Sequence, residues 1–137
     1  MDLERMLEMC ERDQWKVGDL DWTGEPRELS PEDEEAVVQY FTDMAGIERL
    51  AGALFEEQRR RTKDPVLREI FTTFVVDEVR HSHAAQMLAD YYNRRKLKIY
   101  QQNPSLTRFM PVFIEPVRHF SPAAATAYIT GGELILD

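Results

Sequence analysis

Glu78 and His81 stand three residues apart in the stretch Phe74-Val-Val-Asp-Glu-Val-Arg-His81. On an α-helix that spacing puts both on one face, about one turn from each other. The rest of the face is apolar, with Leu67, Ile70, Phe71, Phe74, Ala85 and Leu88 on the same stripe. A carboxylate and an imidazole on a stripe that should face a core are costly to bury unpaired, and one divalent cation would pair both. Two other carboxylates interrupt apolar stripes in the same way. Glu48 lies on the line Val37, Phe41, Met44, Ala51, Phe55 and Gln58, and Glu133 on the line Ala125 or Thr126, Ile129 and Leu136. Carboxylates with an imidazole suit iron or manganese, since hard oxygen donors support the higher oxidation states of oxygen chemistry. The competing reading is a polar core network in which these groups hydrogen-bond to one another without an ion.

Positioning such groups requires long helices, and the sequence supplies their signals. Ser30-Pro31-Glu32-Asp33 offers an N-cap, a proline at the first position and acids in the first turn, which predicts a helix running to about Arg61. Asp64-Pro65 repeats the signal after a tight turn and predicts a second helix to about Arg95. A connection this short makes the two helices antiparallel neighbours. Glu48 lies thirteen residues before Arg61 and Glu78 thirteen after Pro65, so the pair is expected at one height. From Tyr100 to Phe120, Pro104, Pro111 and Pro116 argue against a continuous helix. The apolar residues there, among them Met110, Ile114 and Val117, predict short helical turns packed along the bundle as a long crossover. Ser121-Pro122 then starts a third bundle helix, which Gly131-Gly132 should weaken.

The flanking segments contribute less. Residues 1–30 form an N-terminal arm with a short amphipathic start (Leu3, Met6, Leu7, Cys10), after which Trp15, Val17, Leu20 and Trp22 follow no helical period. The tryptophans are expected to pack on the end or flank of the bundle. Residues 31–137 form the helical domain, and the fold class is all-α. His83 is two residues from His81 and should point away from its face, while Glu115 and His119 flank Pro116 and make a poor ligand pair. A net charge of −8 argues against a nucleic-acid partner, whose phosphates need a basic face. No apolar run approaches the roughly 20 residues of a membrane span. The single cysteine, Cys10, and the lack of a signal-like N-terminus predict a soluble protein of the reducing cytoplasm.

Glu48, Asp77-Glu78-Val79-Arg80-His81, the crossover and Gly132-Glu133-Leu134-Ile135-Leu136 together resemble the ferritin-like superfamily of di-iron carboxylate proteins. They look most like its oxygenase and desaturase branch, which includes the arylamine N-oxygenases. The resemblance covers about residues 32–137 and implies a four-helix-bundle type of fold with three bundle helices in this chain. It implies metal ligands Glu48, Glu78, His81 and Glu133, with Asp77 beside the site holding an imidazole across the bundle. It further implies two iron ions per complete site, with manganese as the substitute, and dioxygen activation to oxidise a small organic substrate. The family pattern also has a fourth helix with a second Glu-x-x-His, for which nothing remains after Glu133. Either a C-terminal segment supplies it or a second copy completes the site, and the open groove left by three helices predicts a homo-oligomer. The alternatives are a non-catalytic helical scaffold or oligomerisation domain and, further off, iron storage.

Overall fold

The computed structural model describes residues 2–96 and 100–136, with side chains described as far as Gly132 in the last helix. Among these residues there is no strand. The chain folds as α1 (Leu3–Arg12), a 3-10 turn at Val17–Asp19, α2 (Pro31–Arg61), α3 (Pro65–Tyr92), α4 (Pro104–His119) and α5 (Pro122–Leu136). None of the described helices is long and apolar enough to cross a membrane.

The two long helices begin at their caps. The Ser30 hydroxyl accepts the Asp33 N–H at 3.1 Å and the Asp64 carboxylate accepts the Leu67 N–H at 2.9 Å, each with proline at the first helical position. Running antiparallel, α2 and α3 meet along a seam of small side chains. Ser82 donates to the Ala45 carbonyl at 2.8 Å, and Arg49 donates to the Ser82 hydroxyl at 3.1 Å. Gly52 sits opposite Glu78, where a Cβ would stand only 3.3 Å from the Glu78 Cβ, so its missing side chain lets the helices close at this height. At the far end Glu34, 2% exposed, pairs with the Arg95 guanidinium and accepts the Arg95 N–H at 2.8 Å.

The connection after α3 returns along α2 as a crossover. Asn103 N–H donates to Asp43 at 2.6 Å, and Gln102 lies so close to Gly46 that a Cβ there would fall 1.6 Å from its amide nitrogen. From this point α4 runs down α2 until the Arg61 guanidinium meets the carbonyls of Val117 and Phe120. α5 then turns back antiparallel to α2, with the Gln58 amide donating to Pro122 O at 3.2 Å and Thr126 Oγ1 at 3.0 Å. Leu50, Leu54, Val117, Ala125 and Ile129 form the core of this layer, with Met110, Ile114 and Tyr128 packed around them.

Two expectations are corrected. Residues 104–119 form one helix despite the internal Pro111 and Pro116. Each proline removes one N–H, and the carbonyls that lose a donor belong to Thr107 and Val112, both exposed and open to water. Burial of Val117 with its neighbours on the core layer favours the continuous helix. The second correction concerns α2. Its predicted core stripe is buried at Ala51 and Gln58 but only half-buried at Val37, Phe41, Met44, Glu48 and Phe55, while Val38, Ala45 and Gly52 off the stripe are buried. α2 has α3 on one flank and α4 with α5 on another, and the half-buried members of the stripe lie in the open angle between them, whereas Gln58 reaches α5. Among the described residues α5 touches α2 and α4 but not α3.

The N-terminal segment covers α3. α1 packs directly on that helix. The Trp22 indole donates to the Val17 carbonyl at 2.8 Å and meets Tyr91 edge-on at 6.2 Å.

Candidate metal centre

Glu48 from α2 and Glu78 and His81 from α3 converge in the open angle of the helix pair. His81 Nδ1 lies 3.2 Å from a Glu78 oxygen and 3.9 Å from a Glu48 oxygen. One donor atom from each of the three lies within 4.8 Å of the others. Donors held about 2.1 Å from one ion at roughly right angles would themselves be about 3 Å apart, so the cluster is close to a single-ion arrangement. Equal thirteen-residue offsets from a tight turn produce this meeting, and Gly52 permits the approach beside Glu78.

The side chains form a graded site. Glu78 is the floor, with its side chain 9% exposed; Glu48 stands at 18% and His81 forms the lip at 43%. Two clefts open on either side. One, of about 430 Å³, is lined by Tyr40, Phe41, Met44 and Leu88 beside Glu48 and His81. The other, of about 330 Å³, is lined by Phe55 and Phe74 beside Asp77, Glu78 and His81.

Two carboxylates facing one imidazole give the cluster excess negative charge. The hydrogen bond to Glu78 raises the His81 pKa above its ordinary value; burial opposes this, and the charges of Glu78, Glu48 and Asp77 add to the rise. Without a metal, the neighbouring carboxylates favour the protonated form of His81. A cation would displace that proton, because imidazole ligates only when neutral. The donor chemistry therefore fits a divalent ion of the iron or manganese type.

Asp77 and Glu133 are the other expected residues. Asp77 gives one oxygen to the Arg80 guanidinium and the other to the Gln14 amide, at 3.3 Å, in place of the expected imidazole across the bundle. It lies at the edge of α3, where Arg80 is one turn away and the N-terminal segment docks. The Glu133 backbone belongs to α5, but its side chain, and with it the third expected carboxylate, lies outside the described residues. His83 is exposed, and Glu115 and His119 pair at 3.0 Å on the exposed face of α4.

Two contributors were hidden in the sequence. Gly52 carries no signal beyond being a glycine inside a helix. Trp15 stacks on the His81 ring with centroids 5.8 Å apart and planes 24° apart. Its position in an aperiodic segment signalled packing in general but not this partner. Comparison with family models, curated proteins and solved structures finds no match for this chain.

Proposed function

We propose that this chain binds a divalent metal through Glu48, Glu78 and His81, and that the centre is of the di-iron carboxylate kind, acting as an oxidase or oxygenase on a small organic substrate. The observation that carries this reading is the convergence of two carboxylates and an imidazole from facing helices into a pocket with apolar walls. The helix arrangement, with α2 and α3 paired and α5 returning antiparallel to α2 after a crossover, is compatible with a ferritin-like bundle. In this reading the protein works in the reducing cytoplasm, where free Cys10 and ferrous iron both persist.

Iron bound here would supply the redox chemistry of dioxygen; manganese would be the substitute. The chain's own residues have separate tasks. Glu78, shielded at the floor, and Glu48 fix negative charge where a cation is to sit. His81 presents Nδ1 towards both and would ligate as the neutral imidazole. Phe41, Met44, Phe55, Phe74 and Leu88 give the two open clefts apolar walls and suit an apolar organic substrate. Glu133, on α5, is the further carboxylate of this proposal. A full site of this class takes four carboxylates and two imidazoles, so the missing donors come from a second copy or from a further segment.

The polar-network reading also has an observation in its favour, since His81 and Glu78 already satisfy each other at 3.2 Å. Metal content per chain, measured on protein purified anaerobically with added ferrous iron, separates the two. The metal reading expects at least one ion per chain, lost in His81→Ala, and oxygen consumption when air is admitted. Absence of bound metal at millimolar iron would leave the polar network as the explanation. Metal without oxygen consumption would indicate a structural site in a helical scaffold.

A further inference from the structure

We infer that Trp15 is a positioning residue for His81: the N-terminal segment is a strap that sets the orientation of the exposed ligand of the centre. His81 has the most exposed side chain of the three, at 43%, and its helix leaves its outer side uncovered. One contact, Glu78 to Nδ1, fixes one edge of the ring. The Trp15 indole lies against the ring face at 5.8 Å and removes the remaining freedom to swing outward.

Trp15 has no helix of its own to hold it, and α3 supplies the anchorage. Arg80 donates to the Trp15 carbonyl at 2.7 Å, and its guanidinium lies 5.9 Å from the centre of the indole ring. Arg80 also binds Gln14 and Asp77, and Gln14 donates to Asp77 at 3.3 Å and to the Cys10 carbonyl at 2.6 Å. Asp77 and Arg80 each immediately precede a candidate ligand, Glu78 and His81. One turn of α3 thus grips the strap with one pair of residues and forms the centre with the next pair. Strap docking and metal binding are then coupled, each favouring the other by the same factor.

In the metal-binding reading, on which this inference rests, losing the stack should weaken binding about three- to tenfold, the value of an aromatic pair expressed as affinity. The test uses the full chain with Co²⁺ as probe ion, titrated by calorimetry into wild type, Trp15→Ala and Trp15→Phe. The expected result is weaker binding in Trp15→Ala and recovery of most of the loss in Trp15→Phe, which keeps a ring on the imidazole. In parallel, Trp22→Phe leaves Trp15 as the single indole, whose fluorescence should be quenched in proportion to bound Co²⁺. Trp22 alone, in Trp15→Phe, should respond far less, because Tyr91 places it ten residues and about 15 Å along α3 from His81. Where wild type binds Co²⁺, equal affinity in Trp15→Ala, or no rescue by phenylalanine, overturns the inference.

A metal-independent arm keeps this result separate from the metal proposal. The His81 ring C–H resonances of the metal-free protein should broaden in Trp15→Ala and recover in Trp15→Phe, the sign of a freed ring that loss of the indole's ring current alone would not give. If they do so while no Co²⁺ binds, strap positioning stands and the metal reading fails. If their widths are unchanged by Trp15→Ala, Trp15 does not position His81, whatever metal is bound.

Discussion

Replacing Glu78 by alanine removes the most buried donor of the centre, and its effect should depend on whether metal is present. In the metal-free protein the loss is modest. His81, 43% exposed, can take water at its freed nitrogen where the carboxylate stood, and Glu48 is relieved of a like charge nearby. A change within about 1 kcal/mol follows, since hydrogen bonds to exposed partners are worth little net. Metal changes the comparison. An ion at one hundred times its dissociation constant stabilises the wild type by about 2.7 kcal/mol. For a chain of 137 residues the unfolding entropy is about 0.3 kcal/mol/K, so Tm should rise by about 9 °C. Losing a group that merely supports a ligand costs about 10–100-fold in affinity, and losing a ligand should cost at least about 100-fold. At the same metal concentration Glu78→Ala would then gain only about 1–2 °C. Circular-dichroism melts with and without Mn²⁺ read both numbers. Equal metal-induced shifts in wild type and variant would refute the assignment of Glu78 as a ligand, and no shift in the wild type would refute the site.

The raised His81 pKa gives a signed pH dependence. In metal-free protein its contribution to stability is fully present below the unfolded value of about 6.5 and is lost as pH rises through the higher folded value. Denaturant melts against pH should therefore show a loss in wild type that His81→Ala lacks, whereas metal affinity should rise over the same window as the competing proton leaves. Gly46→Ala should change stability by less than about 1 kcal/mol, because the new methyl displaces only the end of the flexible Gln102 side chain and the better helix propensity of alanine offsets that shift; adding Gln102→Ala should expose the propensity gain, and urea melts of the double-mutant cycle check this. Assembly should respond to metal: light scattering is expected to show a dimer or larger species when ions are bound, and a strict monomer with full metal content would exclude donors from a second copy.

The parts of the fold that were legible in the sequence are those decided locally. Ser30-Pro31 and Asp64-Pro65 mark the starts of α2 and α3 because capping and proline geometry act within one turn. The height match of Glu48 and Glu78 was legible for the same reason, since a tight turn leaves little room for slippage. Helix α4 was not legible, because the local cost of Pro111 and Pro116 is visible in the sequence but the offsetting burial of Val117 is tertiary. The half-exposure of Phe41, Met44 and Phe55 depends on which flanks of α2 receive neighbours, and helical periodicity records only that an apolar face exists. Trp15 and His81 are 66 residues apart, and no pattern in the aperiodic segment fixes its docking.

The equal offsets of Glu48 and Glu78 from the turn constrain how the chain can change in length. One residue inserted in α3 between Pro65 and Glu78 would rotate both ligands by about 100° and carry them off the shared face. Seven residues inserted there would nearly restore the face but raise the ligands by about 10 Å, past the reach of Glu48. Only matched heptads added to both helices on the turn side of the centre would leave it intact. The hairpin can thus lengthen in paired steps while its polar cluster stays assembled, and unpaired gains or losses in either arm dismantle it.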